Sequence, residues 1–388
     1  MIPLCVPHIR HQEWELVKQC IDSEWVSYAG SFVDQFEKNL AAYSGSAHAA
    51  VTISGTSALH IALLVAGVLP DDEVLLPSLS FVAPANAIRY CHAWPTFIDV
   101  SNETWQWDPD AVENFLRQHT LRDPSGTLRN RHTRRRIAAI MPVHLLGGMA
   151  PLDRLIPLCH EFSLPLIEDA AEAFGSRWNG NGIGAPIPGD HQITRIICTS
   201  FNGNKIMTTG GGGALFSNNP DHAALCRHLS TTAKTDPVEF DHDAVGFNYR
   251  MSNMAAALGV GQLRQMDHFV ARKTAIARNY DAAFSGLPHI LASCPPTPHV
   301  TSNHWLHTIR LRQNSRPLLK QLAARNIQTR PLWKPLSTLP FLSSCHIHSD
   351  QNTRLLAENC LSIPCSVGLT DDQQQQVITA ILASLREG

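Results

Sequence analysis

A lysine between two apolar strands is an unusual place for a cation, and the segment TSFNGNKIMTTGGGG (199–213) puts one there. RIICTSF reads as a buried strand and ends in a polar, glycine-bearing turn. Lys205 follows, and four glycines then lead into the apolar GALFSN. Desolvation favours the neutral form of such an amine and makes it nucleophilic. Ser200, five residues earlier, carries a hydroxyl able to hold an anion close by. Lysine is scarce here, occurring only as Lys18, Lys38, Lys205, Lys234, Lys273, Lys320 and Lys334. The competing reading of Lys205 is a solvated loop side chain.

A second segment, LIEDAAEAFG (166–175), sets Asp169 at the carboxyl end of another predicted buried strand. Open α/β sheets place their ligands at that edge. A carboxylate buried there alone costs several kcal/mol and needs a cation. A protonated pyridine nitrogen is one such cation, and enzymes that use pyridoxal 5′-phosphate make this pairing; otherwise Asp169 is only the cap of the next helix. In a third segment, SGTSALH (54–60), a strand, a Gly-Thr-Ser turn and a helix follow in order. Helix N-terminal N–H groups with the Thr56 and Ser57 hydroxyls make a phosphate site, or else an ordinary cap. No G-K-[ST] of a Walker loop and no G-x-S-x-G of a hydrolase occurs. Together the three segments supply a phosphate anchor, a pyridinium partner and an amine that can bond to a carbonyl.

Elements that position such groups can be read along the chain. Helical spacing fills HQEWELVKQCIDS and FVDQFEKNLAAY. Short apolar runs then alternate with helical ones: strands at 49–55, 72–77, 95–100, IAAIMPVHLL, LPLIEDAA, RIICTSF and GALFSN, with helices at 56–68, FVAPANAIRYCH, DPDAVENFLRQH, PLDRLIPLCHEFS and DHAALCRHLST. This alternation predicts an α/β fold with a mostly parallel sheet between helices. After about residue 250 comes one helix-rich stretch (252–286), then short strands (HWLHTIRL) and helices. The expected division is a large domain, residues 1–255, and a smaller α+β domain, residues 256–388, with an arm (1–12) packed on the small domain or on a partner subunit. The basic insertion LRDPSGTLRNRHTRRR (121–136) reads as a solvated loop.

Composition excludes other classes. With 388 residues, 44% hydrophobic and 16% charged, the chain is too apolar for disorder. A net charge of −2 gives no footprint for nucleic acid or an anionic membrane. No secretory signal or long apolar run is present, and the 10 cysteines are scattered without a C-x-x-C. That pattern predicts reduced thiols in a cytoplasmic protein. The pairs His304/His307 and His346/His348 lack a second cluster at metal-ligand spacing, so no metal is expected.

The sequence resembles the DegT/StrS sugar aminotransferases, pyridoxal-phosphate enzymes of fold type I. The likeness runs nearly end to end through VPHI, EWVSYAGSFVDQFE, SGTSALHIALL, DEVLLPSLSFVAPANAI, PVHLLGG, IEDAAEAFGS, SFNGNKIMTTGGGG, GFNYRMSNMAAALGVGQL and TRPLWKPL. The SFNGNKI…GGGG form with EDAAE is most similar to enzymes that aminate C4 of nucleotide-linked 4-keto-6-deoxy sugars, the bacillosamine and legionaminic acid types. The resemblance implies that Lys205 holds pyridoxal 5′-phosphate covalently and that Asp169 pairs with its ring nitrogen. It further implies that Gly55, Thr56, Ser57 and Ser200 hold the phosphate, that Phe81 stacks on the ring, and that Glu172 lies near the 3′ oxygen. Asn248 would reach the phosphate in a partner subunit, making the enzyme a homodimer. His8, Lys234, Arg250, His307 and Arg330 fall in segments like the family's substrate-facing ones, and Lys234 or Arg250 could meet a diphosphate. The implied donor is L-glutamate and the implied acceptor a UDP-linked 4-keto-6-deoxy-N-acetylglucosamine type sugar, used for surface glycans. GDP- or dTDP-linked sugars and amination at C3 are alternatives. A dehydratase of the same fold typically replaces the lysine by histidine, so Lys205 counts against that activity. A non-enzymatic sensor role is disfavoured, because the sequence shows no helix-turn-helix domain and no basic face.

Overall fold

In the computed structural model, which describes residues 1–236 and 238–386, eight strands form one sheet. Their order is His48–Thr52, Gly213–Ser217, Arg195–Ser200, Leu166–Asp169, Ile137–Ile140, Glu73–Pro77, Trp94–Ile98 and His346–Ile347. All point the same way except Gly213–Ser217, which is antiparallel to both neighbours. The central strands are buried along their whole length, as expected of parallel strands covered on both faces. One apolar layer contains Leu59 and Ile61 of Gly55–Val65, Ile88 of Ala83–Tyr90 and Cys226 of Pro220–Ser230. The opposite layer holds Phe36 of Ser31–Ser44, Phe115 of Pro109–Gln118, Leu155 of Leu152–Phe162 and Val260 of Asn253–Leu263.

Register brings the chemical segments to one edge. Thr52 pairs with Gly213, Gly213 with Ser200, and Cys198 with Asp169. The carboxyl ends of three strands and the start of Gly213–Ser217 therefore lie side by side, at the edge the sequence predicts. The strands are shorter than their apolar runs. Leu166–Asp169 stops where Asp169 Oδ1 accepts the Ala171 N–H (3.0 Å), which turns the chain. Ile137–Ile140 gives way to a turn containing Leu146 at φ 57°.

The helix-rich stretch after residue 250 is two helices, Asn253–Leu263 and Met266–Phe284, and the expected boundary at 255 falls in the first turn of the former. Beyond them Ile290–Ser293, His307–Leu311, Cys360–Ile363 and Arg330–Pro331 form a second, antiparallel sheet. His346–Ile347 crosses back to pair with Trp94–Ile98, a return only two residues long that left no pattern in the sequence. The arm packs on its own chain: Ile2 bridges Ile327, and the Val6 N–H donates to Ser366 Oγ (3.0 Å). The 121–136 insertion is more ordered than a solvated loop. Thr120–Arg122 and Leu128–Asn130 form a hairpin, closed by Arg129 Nε donating to Asp123 (2.6 Å). Among the described residues no helix is long and apolar enough to cross a membrane. Nor is any group of three or more His, Cys, Asp or Glu among them placed to hold a metal ion.

Helix Asn253–Leu263 approaches Ser31–Ser44 at a glycine: a Cβ on Gly259 would lie 2.5 Å from Phe36 Cζ. Gly259→Ala should therefore cost about 1–3 kcal/mol by overpacking, read as a lower denaturation midpoint with an unchanged slope. An unchanged midpoint would show that the two helices have room to spare.

Candidate active site

The loop that carries Lys205 is pinned at both ends. Phe201 donates its N–H to Gly212 O (2.8 Å), Thr209 donates to Phe201 O (2.9 Å), and the Phe201 ring is buried. Lys205 thus projects from a fixed base into a cavity of about 270 Å³ at the sheet edge. Gly55, Thr56, Phe81, Asp169, Glu172 and Ser200 line the same cavity, with Ser54, Asn204, Trp305 and Trp333. Lys205 Nζ lies 4.0 Å from Glu172 Oε1 and 4.1 Å from the centre of the Trp305 ring. An ammonium over an indole face gains about 0.5–2 kcal/mol.

Both carboxyls of the cavity are desolvated. Burial raises Asp169 above the ordinary carboxylate range, against the opposing pull of the Ala171 N–H and the Lys205 charge. That N–H is its one side-chain hydrogen bond among the described residues, so the carboxylate has capacity left for a donor in the cavity. Burial also pushes Glu172 up to about 7, opposed by Lys205 and by the Leu146 N–H donated to Oε2 (2.8 Å). Adjacent Glu168 faces away and is satisfied separately. Burial would raise it, but Arg195 at 2.5 Å and His144 hold it below its usual range. His144 Nδ1 accepts the Ala150 N–H (3.0 Å), so its proton sits on Nε2 and goes to Glu168 (2.9 Å).

At the other end of the cavity, Ser54 caps helix Gly55–Val65, its Oγ accepting the Ser57 N–H (3.1 Å) and meeting the Ser57 hydroxyl at 2.8 Å. Gly55 and Thr56 face the cavity, while Ser57 is buried behind Ser54. Residue 55 must be glycine because a Cβ there would lie 2.8 Å from Ser200 Cβ. Phe81 is 53% exposed and lines the cavity. The donor set fits pyridoxal phosphate: helix N–H groups and Ser200 for an anion, an aromatic face for a ring, a carboxylate with spare capacity for a ring cation, and an amine.

The expected substrate contacts do not gather here. Arg250 is committed to structure, with its side chain buried and Nη1 on Glu37 Oε1 (2.5 Å) and Val51 O (3.2 Å). His307 is buried in the second sheet, stacked on Tyr280 and 3.7 Å from Asp281, and desolvation depresses it to about 4. His8 packs edge-on against Phe269, and its carbonyl accepts from Gln262. Lys234 lies over the Phe240 ring, and exposed Arg330 bonds the Thr329 carbonyl. Asn248 is exposed outside the cavity, its backbone bridging Thr231. Sequence reasoning missed Ser54 and Trp305. The cap was legible as a serine two residues before Thr56; nothing signalled the tryptophan.

Residues 7–382 match the DegT/DnrJ/EryC1/StrS aminotransferase family. The chain belongs to that family. It is a pyridoxal-phosphate-dependent aminotransferase. Among curated relatives, the GDP-perosamine synthase of Escherichia coli O157:H7 is 35% identical over 344 residues, covering 88% of this chain and 87% of that protein. The GDP-perosamine synthase of Caulobacter vibrioides is 33% identical over 392 residues, covering 98% and 97%. Among solved structures, the aminotransferase TlmJ of Streptoalloteichus hindustanus superposes with a TM-score of 0.88 at 28% identity, covering 100% of this chain and 99% of that one. The fold expected from the resemblance, a large mixed sheet between helices with a second α+β unit, is the fold observed.

Glu172 gives this aminotransferase a pH signature. Because its folded pKa of about 7 lies above the usual 4.5, the stability linked to its proton is complete below 4.5 and is lost as pH rises through 7. Glu172→Gln removes that slope. In cofactor-free protein, the variant should gain about 2–3 kcal/mol on the parent between pH 4.5 and 8, measured by denaturant melts. A constant difference across that range would mean that Glu172 ionises normally.

Proposed function

We propose that this aminotransferase moves the amino group of L-glutamate to C4 of a nucleotide-linked 4-keto-6-deoxy sugar, in the cytoplasm, for surface glycan synthesis. The observation that carries the reading is the cavity in which Lys205 faces Asp169 and Glu172 beside an anion cradle at Gly55, Thr56 and Ser200. The names of two relatives, both GDP-perosamine synthases, favour a GDP-linked acceptor. The UDP-linked acceptor remains the second reading, favoured by the SFNGNKI…GGGG and EDAAE segments with Glu172.

Bound here, the cofactor supplies an electron sink for a carbanion next to nitrogen. The Gly55 and Thr56 N–H groups and the Ser200 hydroxyl would hold its phosphate at the positive end of a helix. Asp169 would accept a hydrogen bond from the protonated ring nitrogen and so keep the proton on it, and Glu172 would lie beside the ring oxygen. Lys205 Nζ would hold the cofactor between turnovers and move protons, taking one from the donor's α-carbon and delivering one to the sugar carbon. Retention of that amine is what separates this activity from dehydration.

The site is read as shared between two copies of the chain. Asn248 is exposed and lies outside the cavity of its own chain, and Trp25, Tyr28 and Val245 are 58%, 45% and 84% exposed.

A transamination screen with glutamate tests the proposal, using GDP-, UDP- and dTDP-linked 4-keto-6-deoxy sugars beside a 3-keto panel. The expected result is amino-sugar and 2-oxoglutarate formation with a 4-keto substrate, fastest with GDP. Turnover only of 3-keto sugars, or loss of a hydroxyl without gain of an amine, contradicts it.

A further inference from the structure

Behind Trp305 lies a cluster that amino transfer does not use: Cys5, Cys365 and Lys273. The N-terminal arm runs along the turn after Cys360–Ile363, with the Cys365 N–H donated to Leu4 O (2.8 Å) and the Val6 N–H to Ser366 Oγ (3.0 Å). This pairing sets the Cys5 side chain beside Cys365, while its thiol donates to Asn204 O. Lys273, only 1% exposed, enters from helix Met266–Phe284. Its Nζ donates to Cys365 O (2.7 Å) and Trp305 O (2.9 Å) and lies 3.7 Å from Cys365 Sγ.

Among the described residues Lys273 has no carboxylate partner. An ammonium buried among neutral carbonyls is costly, and a thiolate at Cys365 supplies the missing charge. The contact with Cys5 and the Lys273 charge draw the Cys365 thiol below its ordinary range. The same contact, with burial, holds Cys5 above it. Cys159, Cys198 and Cys226, by contrast, are thiols raised chiefly by desolvation, which leaves them inert. One sulfur is therefore a nucleophile and its neighbour a protonated, half-buried thiol in contact with it.

We propose that Cys5 and Cys365 form a modification site, a dithiol that hydroperoxides convert to an intrachain disulfide tying the arm to the second sheet. The Cys365 thiolate attacks a peroxide oxygen, the O–O bond breaks, and hydroxide leaves to be protonated by solvent. The Cys5 thiol, in contact with it, then attacks the resulting sulfenic sulfur; the S–O bond breaks, and the departing hydroxide takes the thiol proton and leaves as water. Two electrons pass from the sulfurs to the peroxide, and two waters result.

The bridge acts on the wall of the active site. Cys5 Sγ gives up its bond to the carbonyl of Asn204 (3.4 Å), the residue before Lys205, which also accepts the Trp305 indole N–H (2.7 Å). Lys273 loses its counter-charge while still holding the Trp305 carbonyl. The contacts that set Lys205 against Trp305 therefore shift, and turnover slows.

The test exposes the holoenzyme to limiting hydrogen peroxide, caps free thiols without reductant, and maps the peptides by mass. A linked pair joining Cys5 to Cys365 should appear before other cysteines oxidise and vanish with dithiothreitol. The parent should lose transaminase activity several-fold and regain it on reduction, while Cys5→Ser keeps its rate through the same treatment. Oxidation scattered over other cysteines with no linked pair overturns the proposal, as does equal loss in the parent and Cys5→Ser. The peptide readout does not depend on which sugar is the substrate, so its failure is separable from failure of the proposed acceptor.

Discussion

A carboxylate at the end of a buried central strand can remain an anion only if a cation meets it. Asp169 is 4% exposed, and its protein partner is a single N–H. The architecture around it resolves that imbalance from one direction only. Strand alternation turns Glu168 to the other side of the sheet, where Arg195 neutralises it and His144 hydrogen-bonds it. The cavity side is left to Asp169, Glu172 and Lys205, so two acids share one protein cation. A bound cationic ring would supply the second charge.

The second sheet matters because it closes the cavity. Trp305 precedes the strand His307–Leu311, and each of its polar groups is held: the N–H by Asn303 Oδ1, the indole N–H by Asn204 O, and the carbonyl by Lys273. Asn303 in turn donates to the carbonyls of Glu172 and Phe174. The ring that faces Lys205 is therefore fixed by contacts from the large sheet, the second sheet and the long helix together. A local change on either side of this junction reaches the lysine through a few hydrogen bonds.

The sequence made the site legible where chemistry sits at junctions between elements. Lys205, Asp169 and Gly55 each lie where an apolar run meets a turn, and strand register then makes neighbours of positions far apart in the chain. The cations assigned to substrate lie outside the cavity of this chain, and charge alone does not reveal a partner. Arg250 looks free in sequence, yet Glu37, 213 residues away, claims it across the helix layer. Trp305 and the return of His346–Ile347 were invisible for the opposite reason: each depends on a long-range contact made by one or two residues with no periodicity.

The most direct test of the role given to Asp169 is the ¹⁵N chemical shift of the cofactor's ring nitrogen in labelled holoenzyme, compared between the parent and Asp169→Asn. A buried carboxylate that holds a ring proton predicts a pyridinium shift in the parent at neutral pH and an unprotonated shift in the variant. The same shift in both proteins would mean that Asp169 does not hold the proton, and would contradict the charge balance on which the site is built.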